Sequence, residues 1–402
     1  MMRQLPEDPM IRELVRQARR AQLSRRTVLA GAGAGATALA LAACSTGSDE
    51  APTAATDKSA DDKTLTWANW AAYIDEDDDG NYPTIMKFME QTGIKVNYDV
   101  AVDDNNTYYG KVKDQLALGQ DIGADVVCLT DWMVSRLIRF GYVQDLNHSN
   151  IPNIKNLVPD LQNPDFDPGR KKSIPWQGGF AGIAWNKEKL PDGLTSVSDL
   201  WDPALKGRVG VLSEMRDTMG VLMAENGVDI SSDWGGDEFY AALDTFKEQV
   251  ENGQIRNIKG NAYLEDLKSE DTLAAIVWSG DITIINAEAG DKWEFAIPSG
   301  GGTLWNDNFV VPIGSPRKAN AEALINYYYE PEVAAEVAAW VNYIPPVVGA
   351  KEAAIAIDPE LAENQLIFPS DETLKTTKMF KTLDGAEESE YGAAFQAVLL
   401  GS

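Results

Sequence analysis

Histidine is almost absent from this chain, with His148 the single copy in 402 residues, and cysteine is nearly as scarce, with Cys44 and Cys128. A Ser-His-Asp or Cys-His pair is excluded unless His148 serves it, and neither a His-rich nor a Cys-rich metal site can be assembled. No Gly-x-x-x-x-Gly-Lys-Ser/Thr loop occurs, and Ser299-Gly300-Gly301-Gly302 lacks the lysine that would grip a phosphate. Neither a metal nor a cofactor is expected. Positive charge is short as well: 35 basic residues face 62 acids, for a net charge of −27. Such a chain has no general electrostatic affinity for nucleic acid or an anionic lipid surface, and it attracts cations instead. Catalysis by carboxylates alone stays open but is not favoured.

What is present begins with an export signal. Arg3, Arg12, Arg16, Arg19 and Arg20 lead into Ser24-Arg25-Arg26-Thr27-Val28-Leu29, and an apolar run ends in Leu41-Ala42-Ala43-Cys44. A basic region, a short apolar core and a small-residue cleavage site are the parts of a secretory signal. The adjacent arginines resemble the twin-arginine type. Leu-Ala-Ala-Cys resembles the lipobox, in which the cysteine is acylated and becomes the new N-terminus. Thr27 to Ala43 is only 17 residues and is diluted by glycine, which argues against a membrane span. The expectation is a signal peptide over 1–43 and a lipid on Cys44, holding the protein at the outer face of the cytoplasmic membrane. Loss of residues 1–43 removes seven arginines and three acids, so the mature net charge falls to about −31. Cys128 then has no disulfide partner, and its place within an apolar strand marks it as core.

Residues 45–63 are rich in Ser, Thr, Ala, Asp and Pro without apolar periodicity, so 44–63 is expected to be a flexible tether. The remaining length suggests two domains. Strands are expected over 65–70, 95–100, 124–129, 182–185, 208–212, 272–278 and 293–297. Helices are expected over 82–91, 108–118, 131–140, 217–225, 238–251, 319–329 and 331–341. This alternation implies α/β lobes with largely parallel sheets, and in such sheets ligands bind beyond the carboxyl ends of strands.

Those strand ends carry aromatic and acidic residues together. Trp70 and Tyr73 follow the first strand, Thr130-Asp131-Trp132 the third, Glu214, Arg216 and Asp217 a later one, and Trp278 and Asp281 the next. Trp305, Asp307 and Tyr343 complete the group. Aromatic faces attract an ammonium and its adjacent methylenes, contributing about 0.5–2 kcal/mol per contact, and carboxylates add charge-assisted hydrogen bonds. The complement is an elongated organic cation of more than one charge. A saccharide also stacks on tryptophan, and a glycosidase would need an acid pair such as Glu214 and Asp307. The acids here are more numerous than a sugar requires.

Taken together, Asn69-Trp-Ala-Ala-Tyr73, Ala124-Asp-Val-Val-Cys-Leu-Thr-Asp-Trp132, Ser173-Ile-Pro-Trp176, Val277-Trp-Ser-Gly-Asp281, Trp305-Asn-Asp307 and Tyr343-Ile-Pro-Pro346 resemble the spermidine/putrescine-binding receptors of ABC importers. The resemblance implies a two-lobed type II periplasmic-binding-protein fold with a ligand cleft between the lobes. It divides the chain into lobe 1 (64–181 and 306–351) and lobe 2 (182–305 and 352–402). It also implies a monomer that delivers a polyamine to permease subunits and makes or breaks no bond. The aromatics matching Trp70, Tyr73, Trp278, Trp305 and Tyr343 would enclose the methylene chain. Acids matching Glu214, Asp217 and Asp307 would bind ammonium groups, while Thr130 and Trp132 line the cleft. Ala72 departs from an acid found in some spermidine receptors, and Asp281 matches one found in putrescine receptors. Lys381 falls where a ligand-contacting glutamine is expected, close enough to repel the ligand or neutralise Glu214 or Asp217. Arg216 is expected as a structural partner that trims the site's charge.

Overall fold

The computed structural model describes residues 52–401, so the expected signal peptide, Cys44 and the first part of the expected tether lie outside the described residues. Among the described residues, no helix is long and apolar enough to cross a membrane.

The chain enters through β1 (Thr64–Trp70), α1 (Pro83–Thr92) and β2 (Lys95–Val102), with the two strands parallel. Pro83 occupies the first turn of α1, where its missing N–H is no loss, and Gly93 (φ 71°) ends the helix by donating to the Met89 carbonyl. α2 (Asn105–Ala117) starts earlier than its apolar pattern suggests because the Asp104 carboxylate caps the Thr107 amide at 2.9 Å. β3 (Val126–Thr130) lies parallel to β1 and runs straight into α3 (Asp131–Arg139).

β4 (Ser173–Asn186) is 14 residues long and buried throughout, far longer than the expected 182–185. After it come β5 (Val209–Leu212), α4 (Met215–Glu225), α5 (Gly236–Glu251), β6 (Ile255–Lys259), α6 (Tyr263–Lys268), β7 (Ala274–Trp278) and α7 (Ser279–Ala289). β8 (Trp293–Ala296) and β9 (Gly302–Val310) follow, then α8 (Lys318–Tyr328), α9 (Pro331–Val341), α10 (Ala350–Ile357), α11 (Asp371–Lys375), β10 (Thr377–Lys378) and α12 (Gly385–Leu399). The strand order is β2-β1-β3-β9-β4-β7-β5-β6. β1–β3 form one parallel group and β5–β7 another, and the antiparallel pair β4 and β9 joins them. This agrees with the two-lobed arrangement the resemblance implies, with β4 and β9 running between the two parallel groups.

Around this join the core is aromatic. Trp67 is fully buried, with its ring centroid 5.1–5.5 Å from those of Tyr98, Trp176, Phe309 and Tyr328. Edge-on packing of this kind adds to area burial. Cys128 lies in the same core and is fully buried. His148 contacts the Arg170 carbonyl at 2.8 Å and plays no part in the cleft.

The tether proves shorter than expected at its C-terminal end. The Ala55 amide donates to the Ile313 carbonyl (2.9 Å) and the Lys58 amide to the Pro316 carbonyl (2.7 Å). Ser59, buried despite the polar composition around it, accepts from the Asn320 amide at the start of α8, and Asp62 pairs with Arg317 at 2.8 Å. Hydrogen bonds, rather than an apolar face, hold this segment, so hydrophobic periodicity could not reveal it.

The entry to β4 depends on Asp167, whose buried carboxylate accepts from the Lys171, Lys172 and Ser173 amides and the Ser173 hydroxyl at 2.8–3.1 Å. Asp167→Ala should lower stability by about 2–4 kcal/mol, because it orphans several donors at once. The measurement is the urea unfolding midpoint, with Asp167→Asn expected to lose less.

Candidate functional site

Each site side chain is delivered by an element end. β1 finishes at Trp70, whose indole N–H donates to the Cys128 carbonyl at 3.1 Å, fixing the ring at the cleft floor. The chain then turns at Ala72, which adopts a left-handed φ of 52°, and Tyr73 comes back against Trp176 and Tyr343. Left-handed backbone is costly for alanine and is often found beside binding sites. Glu214 and Asp217 flank the start of α4, Trp278 ends β7, and Asp281 sits in the first turn of α7. Trp305 and Asp307 lie within β9, and Tyr343 follows α9.

Ten of the eleven expected residues line one cavity of about 410 Å³: Trp70, Tyr73, Thr130, Glu214, Asp217, Trp278, Asp281, Trp305, Asp307 and Tyr343. Trp132 does not. It lies in the wall of two neighbouring chambers, with the Arg216 guanidinium 4.1 Å from its ring centroid and that of Arg136 at 5.0 Å. Ala71 and Asn261 also line the cavity and went unnoticed in the sequence. Asn261 follows β6, a strand that was not anticipated; the rule of looking beyond strand ends would have found it once that strand was placed.

Two glycines make room for the aromatic walls. A Cβ on Gly179 would come 2.6 Å from Trp305 and 2.8 Å from Tyr343, and one on Gly280 would come 2.7 Å from Tyr343. The rings meet edge to face, Trp305 with Tyr343 at 5.1 Å and Trp70 with Trp278 at 6.3 Å.

The four acids are buried and none forms an ion pair among the described residues. Neutral donors hold three of them. Asp217 accepts from the Trp278 indole (2.8 Å) and the Thr303 hydroxyl (3.0 Å), and Asp281 from the Tyr263 (2.7 Å) and Tyr343 (2.8 Å) hydroxyls. Glu214 accepts from the Asn105 amide (3.1 Å) and side chain (3.0 Å), a link from the β5–β7 lobe to the β1–β3 lobe. Asp307 is the exception: its Oδ1 and the Tyr73 hydroxyl are left without a hydrogen-bond partner of normal geometry.

Burial therefore raises every one of these carboxyls. Glu214 is pushed up to about 8, with the Asp104 and Asp217 charges adding to the desolvation. Asp307 rises to about 7, the Thr130 and Tyr73 hydroxyls only partly opposing the loss of water. Asp217 and Asp281 rise to about 6, their hydroxyl and indole donors holding them lower than the other two. Four buried acids with raised pKa values lining one aromatic-walled cavity are a receptacle for positive charge.

The two cations expected near the site are both engaged elsewhere. Lys381 donates to the Trp234 carbonyl (2.6 Å) and to Glu387 (3.0 Å), so it neutralises neither Glu214 nor Asp217. Arg216 pairs with Glu388 at 3.4 Å and acts on Glu214 and Asp217 only through its field.

A raised folded-state pKa means that the ligand-free fold holds protons the unfolded chain releases, so stability falls as pH rises towards the folded value. For Asp307 that window runs from 3.8 to about 7. Asparagine stays neutral throughout. Asp307→Asn should therefore raise the melting temperature of ligand-free protein at pH 8 and change it much less at pH 5.

Comparison with known proteins gives the geometry a family. The model for bacterial extracellular solute-binding proteins matches residues 83–366. The spermidine/putrescine-binding periplasmic protein of Escherichia coli is 28% identical over 345 residues, covering 85% of this chain and 93% of that protein. A putrescine-binding periplasmic protein of the same organism is 29% identical over 328 residues, covering 77% and 84%. A solved structure assigned to a spermidine/putrescine ABC transporter of Listeria monocytogenes superposes with a TM-score of 0.73 at 27% identity, covering 85% of this chain and 100% of that one. The chain belongs to the bacterial extracellular solute-binding proteins, and it is an exported receptor for a solute rather than an enzyme.

Proposed function

We propose that this protein captures a polyamine, putrescine or spermidine, in the cavity between its lobes and presents it to the permease subunits of an ABC importer. One observation carries the reading: four buried carboxylates without a counter-ion, walled by Trp70, Tyr73, Trp278, Trp305 and Tyr343. An ammonium at each end of a methylene chain supplies the missing charge, and the rings cover the methylenes between. The two Escherichia coli relatives are named for these ligands. Binding of a dication favours the deprotonated acids, so uptake of ligand releases protons in the pH range where Asp307 and Glu214 titrate. Closure is favoured because the ligand touches both lobes at once. The lobe boundaries near 181, 305 and 351 belong to the same proposal.

Location follows from the N-terminal pattern. Twin-arginine export, cleavage before Cys44 and lipidation there would hold a monomeric receptor at the outer face of the cytoplasmic membrane. Pro52, eight positions beyond Cys44, and Thr53 already lie against Gly119, so an extended linker reaches no more than roughly 30 Å. That keeps the receptor near its transporter while leaving it free to reorient.

Calorimetric titration tests the ligand. Asp307→Ala and Trp278→Ala should each abolish most binding of putrescine and spermidine while circular dichroism stays native. The wild-type binding enthalpy near pH 7 should vary with the ionisation enthalpy of the buffer. Unchanged affinity in both variants would remove the cavity as the site, and a protein silent to polyamines but responsive to another organic cation or an oligosaccharide would replace the ligand class. For the anchor, Cys44→Ser should move the exported protein from the membrane fraction to the soluble one.

A further inference from the structure

The cavity opens, past Thr130, Glu214, Asp217 and Trp305, into a larger chamber of about 1480 Å³. Arg216, two residues from Glu214 and adjacent to Asp217, lines that outer chamber but not the inner cavity. Its guanidinium lies 4.1 Å from the Trp132 ring centroid and donates to Glu388 at 3.4 Å. Glu388 is held in turn by Arg136 at 3.1 Å and by Arg139, so the carboxylate is fixed on three sides. Burial lowers Arg216 to about 10, which leaves it charged at neutral pH.

This places a built-in cation on the face of Trp132, an aromatic of the outer chamber two residues from Thr130 at the cavity boundary. Resting on the polyamine reading of the site, we infer that Arg216 sets the length of that polyamine by occupying Trp132, admitting a diamine and excluding the third ammonium of a triamine. The face of Trp132 cannot serve two cations, and two like charges at that separation repel strongly where water is scarce. Acids do line the chamber: the half-buried Asp131 already accepts from Asn308 and lies in the field of Arg170, while Asp160, Asp165 and Asp233 are exposed to solvent. The attraction of the exposed acids is screened, whereas the repulsion at Arg216 is not. The inner cavity is also the smaller of the two spaces, which agrees with a short ligand.

The test is the ratio of spermidine to putrescine affinity, measured by calorimetry on the mature chain. Wild type should favour putrescine by about tenfold or more, and Arg216→Met should shift the ratio towards spermidine by a similar factor. Arg216→Lys, which keeps the charge, should retain most of the wild-type ratio. Glu388→Gln removes the counter-charge of a cation that stays in place and should shift the ratio further towards putrescine, an opposite movement that a variant that merely folds poorly would not give. Wild type binding both ligands equally, or a ratio unmoved in Arg216→Met and Glu388→Gln, overturns the inference and leaves the polyamine reading standing. Binding of neither ligand by wild type overturns the polyamine reading itself.

Discussion

Buried negative charge without an ion-pair partner among the described residues is the constraint on which the rest of this molecule turns. Removing a carboxylate from water is unfavourable unless a cation or enough donors replace the lost hydration. Glu214, Asp217, Asp281 and Asp307 have donors in part and cations not at all. Two responses remain open to the ligand-free protein. It can take up protons, which the raised pKa values describe, or it can part its lobes and rehydrate the acids. A bound polycation removes the need for either, so charge compensation and closure become one event.

The architecture keeps those acids from relaxing away. Asp307 lies in β9, hydrogen-bonded through its backbone register to both β3 and β4, so the strand cannot swing the carboxylate outwards without breaking the join between lobes. Trp278 and Thr303 hold Asp217, and Tyr263 and Tyr343 hold Asp281, which means that the aromatic wall also orients the charge. Glu214 has a double role. Its bonds to Asn105 tie the lobes together at the site itself, so any ligand ammonium approaching Glu214 also acts on a contact that spans the cleft. Gly179 and Gly280 matter for the same reason: without a Cβ they let Tyr343 lie flat enough to reach Asp281.

The parts of this design that were legible in the sequence are those encoded by local pattern. Apolar strands ending in Trp70, Trp278 or the Thr130-Asp131 pair announce both a sheet and its binding edge, and Pro83 and Gly93 frame a helix by their own backbone chemistry. What escaped is encoded by tertiary partners. β9 contains Asn306, Asp307 and Asn308, residues that strands disfavour, yet Asn308 is indispensable there because it links Arg170 to Asp131 at 2.9 and 2.6 Å. The first half of β4 holds Pro175, Gly178 and Gly179 and reads as a turn, but its glycines are where the aromatic rings approach the backbone. α7 carries Ile282, Thr283, Ile284 and Ile285 in a row, which looks like a strand until its packing onto β4 and β8 decides otherwise. Trp132 had the right residue type at the right strand end; only the position of Arg216 reveals that its face is already taken.

The allocation of cations, more than the number of acids, separates the site from the surface. An excess of carboxylates cannot mark a binding cleft, because most of them face solvent and are individually unremarkable. The contrast between Glu214 and Glu388 is more telling. Both are buried acids close to Arg216. Glu388 receives Arg136, Arg139 and Arg216, while Glu214 receives none and relies on an asparagine. A chain this poor in basic residues commits three arginines to one carboxylate and, among the described residues, pairs none with four others in an aromatic enclosure, which is the charge pattern the proposed polyamine site would use. The sequence supplies the acids, but the fold decides which of them wait for a ligand.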